Sequence, residues 1–318
     1  MRAVFTLVLL LGAGATLAQG YPSRPIRLIV PNAPGGPTDV VARLIAQKVS
    51  ETIGQPMVVE NRLGAGGIVG TDAVAKSPPD GYTMMFSASG PMVITPHLNP
   101  NLPFDAQRDF YPVALGATSN MFFMVPPNSP AQSVLDIVAL ARSQPGKLNY
   151  ATAGIGTPPH MAAELFKIMT GTDIVHVPYK GTPQAEAAAM SGDVAFLFNA
   201  PSTLNLAKAG RVRVLAVSGA QRSRLAPELP TLAEAGVPDF NVTAWYGMFA
   251  PAKTPNEIVT KLNREIRDAL RQSELSNRLM SIGYELPAAY TAEEFRTFVG
   301  EENTKWKKVV TEGHIKAE

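Results

Sequence analysis

Ile26-Arg27-Leu28-Ile29-Val30 runs directly into Pro31-Asn32-Ala33-Pro34-Gly35-Gly36-Pro37-Thr38-Asp39, and this junction decides the fold. The first five residues are apolar except for Arg27 and have strand length. Proline and glycine then punctuate the chain, as they do at loops. Beyond them Val40, Val41, Leu44, Ile45 and Val49 recur at helical spacing. Strand, glycine-rich loop and helix in that order open an α/β unit.

Outward from this stretch the alternation repeats. Apolar runs predict strands at 57–59, 82–86, 148–151, 174–178, 194–198 and 212–216. Helical patterns fall at 133–142, 161–169, 183–190 and 204–209. Such alternation predicts parallel sheets joined by right-handed crossovers. Thr254-Pro255-Asn256-Glu257 and Thr291-Ala292-Glu293-Glu294 each have the spacing of a capping box. The chain is therefore expected to end in long helices packed outside one lobe.

Length and punctuation set the domain plan. A chain of 318 residues predicts two domains. The extended segments 121–126 and 246–251 are the candidate crossings between them. They give a first lobe of residues 19–121 plus 246–318 and a second of 122–245. No internal repeat is evident.

Residues 1–18 have a different character. Met1-Arg2 is a short positive start, Ala3 to Leu11 is apolar, and Ala15-Thr16-Leu17-Ala18 is a small-residue site. That layout is a secretory signal peptide with cleavage after Ala18, and a buried N-terminal helix is the alternative. The apolar run is too short for the roughly 30 Å of a bilayer core. There are no cysteines, which excludes a disulfide framework, a cysteine nucleophile and a lipid-modified cysteine. The formal charge of +2 is dispersed, so nucleic-acid binding is unsupported.

Two loops have the composition for anion binding. The first is Pro34-Gly35-Gly36-Pro37-Thr38-Asp39, and the second is Thr152-Ala153-Gly154-Ile155-Gly156-Thr157. Each follows a predicted strand and opens a predicted helix, where ligands bind in open α/β sheets. Glycines let backbone N–H groups approach an anion, and a helix start adds unpaired donors. Tight turns with caps are the alternative. Asp39 at a helix start reads as a cap, with orientation of a water or ligand group as a further role. A third loop, Asn61-Arg62-Leu63-Gly64-Ala65-Gly66-Gly67-Ile68-Val69-Gly70, fails the dinucleotide register at Val69 and reads as close packing.

Catalytic signatures are poor. There is no Gly-x-Ser-x-Gly, no Walker loop and no His-Glu-x-x-His. His160 and Glu164 lie one turn apart and could share a metal. A histidine bonded to its own loop is the stronger reading. His97, His176 and His314 show no ligand spacing.

The chain resembles the extracytoplasmic receptors of tripartite tricarboxylate transporters, the Bug family. The resemblance rests on Pro34-Gly35-Gly36 with Asp39, Glu60-Asn61-Arg62, Pro79-Asp80-Gly81-Tyr82-Thr83 and Gly154 with Gly156-Thr157 and His160. Val177-Pro178-Tyr179-Lys180-Gly181, Leu215-Ala216-Val217-Ser218 and Trp245-Tyr246-Gly247 extend it along the mature chain. It implies a two-lobed α/β periplasmic-binding-protein (Venus flytrap) fold that closes on a small carboxylate. It implies a monomeric, periplasmic binder with no catalytic role, cofactor or metal, delivering to membrane permease subunits. By position it places Pro34, Gly35, Gly36, Thr38 and Asp39 in the first jaw and Thr152, Gly154, Gly156 and Thr157 in the second. Ser87, Ser89, Tyr179 and Asn199 are further ligand candidates. Many relatives carry aspartate where this chain has Asn199, which predicts a ligand without an ammonium group. A secreted α/β enzyme acting on a carboxylate through Asp39 or His160, and a ligand sensor, are the competing functions.

Overall fold

The computed structural model describes residues 20–316, so the predicted signal peptide lies outside the described residues. The opening junction folds as its sequence reads. Strand β1 (Ile26–Val30) leads through the proline–glycine loop into helix α1 (Pro37–Ile53). Val41, Ile45 and Val49 on α1 are fully buried, because the helical period puts all three on the sheet side.

The elements then follow in chain order: β2 (Met57–Asn61), α2 (Ile68–Ala75), β3 (Thr83–Ala88), α3 (Thr95–Leu98), β4 (Phe110–Asn120), β5 (Phe122–Val125), α4 (Val134–Ser143), β6 (Asn149–Thr152), α5 (Pro158–Thr170), β7 (Val175–Pro178), α6 (Thr182–Ser191), β8 (Phe196–Asn199), α7 (Thr203–Lys208), β9 (Arg213–Val217), β10 (Thr243–Pro251), α8 (Asn256–Arg271), α9 (Ser273–Ser281) and α10 (Ala292–Glu312). They form two sheets, ordered β2-β1-β3-β10-β4 and β7-β6-β8-β5-β9.

Neither sheet is purely parallel, which corrects the expectation. β1 pairs in parallel with β2 and β3, and β6 with β7 and β8. β10 runs antiparallel to β3 and β4, and β5 antiparallel to β8 and β9. The reversed strands, β10 and β5, are those that enter from the other sheet. A strand arriving that way is not bound by the crossover rule of a βαβ unit.

The first crossing falls at Met121, between Asn120 of β4 and Phe122 of β5. The second precedes Thr243, since β10 belongs wholly to the first sheet. The expected boundary between 245 and 246 therefore falls inside a strand. Trp245 there is fully buried and packs edge-on against Phe295 at 5.9 Å, so it is core rather than connector. Ser218 ties the two crossings together. Its Oγ accepts the Met121 N–H at 2.9 Å and donates to the Val242 carbonyl at 2.6 Å.

The C-terminal helices depart from expectation in two ways. At α8 the side chain of Thr254 donates to the Pro251 carbonyl at 2.8 Å, and no side-chain cap forms. At α10 the Thr291–Glu294 capping box does form. Helix α10 also packs on both β4 of the first sheet and α5 beside the second, so it does not lie outside one lobe. Glu302 on α10 accepts the indole N–H of both Trp245, at 3.2 Å, and Trp306, at 3.1 Å. A buried carboxylate paired this way makes α10 part of the core.

Candidate ligand-binding site

The first loop is built by Asp39. Its carboxylate accepts the Gly35 N–H at 2.9 Å, the Arg43 side chain at 2.9 Å and the Asn61 amide at 2.8 Å. Asn61 also donates to the Asn32 carbonyl at 2.9 Å, so it staples both ends of the loop. Asp39 is 2% exposed. Burial works against its charge, but the bonds from Arg43, Gly35 and Asn61 prevail and hold its carboxyl below the usual range. With its acceptors engaged, Asp39 organises the loop through its side chain and offers a ligand its backbone N–H.

The donors left over define what this loop can do. Gly35 has φ +76°, a conformation that favours glycine, whereas Gly36 has an ordinary φ of −72°. Gly36 donates to the Ala33 carbonyl at 3.2 Å, and Gly35 is taken by Asp39. Pro34 and Pro37 have no N–H. Gly36 is the N-cap of α1 and supplies no side-chain acceptor. The N–H groups of Thr38 and Asp39 therefore have no acceptor among the described residues. A helix start with two free donors is a place for an anion.

The second loop reaches the same end by another route. Helix α5 begins Thr157-Pro158-Pro159-His160, so two of its first positions carry no N–H. The N–H of His160 is capped by Thr157 Oγ1 at 3.4 Å. The expectation that this helix start presents donors is thus corrected: proline and the cap remove them. The loop supplies them instead. Gly154 N–H goes to Thr152 Oγ1 at 3.2 Å, and Gly156 N–H to His160 Nδ1 at 3.1 Å. Those of Ile155 and Thr157 have no acceptor among the described residues. Thr157 Oγ1 closes the turn by donating to the Gly154 carbonyl at 2.8 Å.

The loops belong to different sheets, and the second reaches the first sheet's side. A Cβ on Gly156 would stand 2.7 Å from Cδ1 of Leu98, which ends α3. Ser87 and Ser89 lie on the same route from β3 to α3 and are buried. Tyr179 is half-buried, its N–H donating to the Thr152 carbonyl at 2.9 Å, which joins it to the second loop. Asn199, at the end of β8, is 3% exposed and donates to Glu186 Oε1 at 2.6 Å. A carboxylate therefore stands beside Asn199. The charge expected to be missing at position 199 is present one hydrogen bond away on α6.

Histidine gives the clearest residue that sequence spacing missed. His176 on β7 packs against His160 with ring centroids 4.2 Å apart and the planes tilted by 31°. The sixteen-residue gap hides this, because His160 starts α5 whereas His176 stands on β7, opposite Tyr150 of β6. Shared metal binding by His160 and Glu164 fails on chemistry. Glu164 is engaged by Tyr150 and Lys167, and Nδ1 of His160 is held by Gly156. The Asn61–Gly70 loop packs as expected, since a Cβ on Gly67 would lie 3.0 Å from the Pro31 carbonyl oxygen.

Residues 41–315 match the model of the tripartite tricarboxylate transporter family receptor, TctC. The chain belongs to this family. Protein BugT of Bordetella pertussis is 36% identical, over 94% of this chain and 92% of its own. Among solved structures, the R. palustris protein Rpa4515 with adipate is 36% identical with a TM-score of 0.77, covering 93% of this chain and 99% of that one. MatC of Rhodopseudomonas palustris with bound malate is 34% identical with a TM-score of 0.73, covering 91% and 100%. The two-lobed periplasmic-binding-protein fold follows from these likenesses and from the two mixed sheets. Family and fold are those of solute-binding receptors rather than enzymes. No helix among the described residues is long and apolar enough to cross a membrane.

Proposed function

We propose that this protein is an extracytoplasmic receptor that captures a small carboxylate between its lobes and delivers it to the membrane subunits of a tripartite tricarboxylate-type transporter. It is exported by cleavage after Ala18, stays free of a lipid anchor, works as a monomer and turns nothing over. The observation that carries this reading is the pair of unclaimed backbone donors on each loop: Thr38 and Asp39 on one, Ile155 and Thr157 on the other. Four N–H groups from opposing lobes suit a carboxylate, which accepts several hydrogen bonds at once. The adipate and malate held by the two Rhodopseudomonas relatives support the same ligand class.

Within this reading Pro34, Gly35 and Gly36 shape the first jaw, and Thr152, Gly154 and Gly156 shape the second. Ser87, Ser89, Tyr179 and Asn199 line the remaining walls. Native mass spectrometry of protein purified from its own host tests the proposal. A retained adduct with the mass of a small carboxylic acid is expected. A retained ligand lacking any acidic group would overturn it.

A further inference from the structure

Behind the second loop lies a polar cluster that contact with a ligand does not require. The rings of His160 and His176 face each other with centroids 4.2 Å apart, and Tyr150 stacks on His176 at 4.9 Å. The Tyr150 hydroxyl donates to Glu164, whose carboxylate also takes Lys167 at 2.8 Å. His160 is 3% exposed and Glu164 5%. Buried polar rings of this kind need partners, and each imidazole turns one nitrogen to the loop. His160 Nδ1 lies 3.1 Å from the Gly156 nitrogen, and His176 Nε2 lies 2.6 Å from Thr152 Oγ1.

Following the protons assigns the His160 ring. A backbone N–H only donates, so His160 Nδ1 is bare and its proton sits on Nε2. Thr152 Oγ1 accepts the Gly154 N–H at 3.2 Å and has one proton to give. The 2.6 Å contact with His176 Nε2 is met in either of two ways: the hydroxyl donates to a bare Nε2, or it turns to the Gly154 carbonyl at 3.3 Å and accepts from Nε2–H. His160 is thus a neutral acceptor at Nδ1, and His176 meets the Thr152 hydroxyl as a neutral ring in either tautomer. Burial sustains this state. It lowers His160 to about 3, with His176 and the Lys167 ammonium adding to the effect. It lowers His176 to about 4, where Glu164 works against it and Lys167 adds to it.

We propose that His160 and His176 are positioning residues for the bound anion: His160 Nδ1 accepts the Gly156 amide directly, His176 holds the Thr152 hydroxyl that accepts the Gly154 amide, and the Ile155 and Thr157 amides are left to face the ligand. This rests on the reading of the loop as a ligand jaw. The two roles are unequal. A proton on His160 Nδ1 would set donor against donor at Gly156. A proton on His176 Nε2 is tolerated, because the Thr152 hydroxyl can turn to the Gly154 carbonyl.

The test compares His160→Leu with His160→Asn, whose Oδ1 can stand where Nδ1 stood. Two quantities are read: amide hydrogen exchange at residues 153–157 in the ligand-free protein, and affinity for adipate and malate. His160→Leu is expected to speed exchange at Gly156 and weaken binding about tenfold, the worth of one hydrogen bond. His160→Asn is expected to restore both. Native exchange and affinity in a folded His160→Leu protein would overturn the proposal, as would a His160→Asn protein as impaired as His160→Leu. Should His160→Leu not fold, His176→Phe keeps the ring stack, removes Nε2, and is read at Gly154 in the same way. A parent protein that binds neither acid would count against the carboxylate reading instead, and the exchange arm would still decide the positioning role.

Discussion

Gly156, on the loop after β6, sits so close to Leu98, at the end of α3, that a Cβ on the glycine would lie 2.7 Å from Leu98 Cδ1. Leu98 Cδ1 is the tip of a flexible side chain and can swing aside. The backbone of Gly156 cannot, and its φ of +73° costs an alanine about 1–2 kcal/mol. Gly156→Ala should therefore weaken ligand binding roughly tenfold, and adding Leu98→Ala should fail to restore it. Gly35→Ala, at φ +76°, should behave likewise. Gly36→Ala should be milder, since its Cβ meets only the Ala33 carbonyl oxygen at 3.2 Å. Calorimetric titration of the four proteins ranks them, and full rescue by Leu98→Ala would show that crowding rather than φ is decisive.

Asp39 tests the first loop. Asp39→Asn keeps the shape but turns an NH2 toward donors from Gly35 and Arg43. A loss of about 2 kcal/mol in urea unfolding is expected. The pH dependence has a definite sign. A carboxylate whose folded pKa is depressed adds stability above its unfolded value, about 4, and that stability drains away as pH falls through the folded value. The parent should thus lose more stability than Asp39→Asn as acid is added below pH 4. Parallel acid profiles would contradict the role given to Asp39.

Asn199→Asp would set a second carboxylate against Glu186, whose Oε1 now accepts the Asn199 amide at 2.6 Å. Asn199 is 3% exposed, so the pair would be poorly screened. A loss of about 1–3 kcal/mol is expected near neutral pH. A carboxyl whose folded pKa is raised keeps its proton at low pH, so the penalty should shrink as pH falls toward 4. Equal melting temperatures for parent and variant at pH 7 would show that Glu186 turns elsewhere in solution.

Ser218→Ala removes the hydroxyl that links Met121 to Val242 across the two inter-sheet crossings. Ser218 is fully buried, so the Met121 N–H and the Val242 carbonyl lose a partner where water cannot replace it. Destabilisation of about 1–3 kcal/mol follows. Hydrogen exchange at Met121 should also rise more than exchange in β1 or β6. A uniform rise across both sheets would deny that this residue acts at the crossings.

Much of the fold is legible because local pattern and burial agree. β1 is read residue for residue, since Ile26 to Val30, apolar but for the exposed Arg27, is bounded by proline on both sides. β4 and β10 escape the reading for opposite reasons. β4 carries Pro112 and Gly116, which look like breaks, and β10 carries Trp245-Tyr246-Gly247, which looks like a connector. Only pairing between distant segments makes them strands. The site divides in the same way. The glycine loops are visible as composition, whereas Pro158-Pro159 silences a helix start that fold-level reasoning fills with donors. Glu186 and His176 are invisible, because each matters through a neighbour on another element.

In the proposed function, opposing backbone amides clasp a carboxylate. Isothermal titration calorimetry of the mature protein against adipate, malate and a panel of amino acids tests it most directly. Saturable one-to-one binding of at least one of these carboxylates is the predicted result. Silence toward every one of them, or equally tight binding of the corresponding amides without a carboxylate, would contradict it.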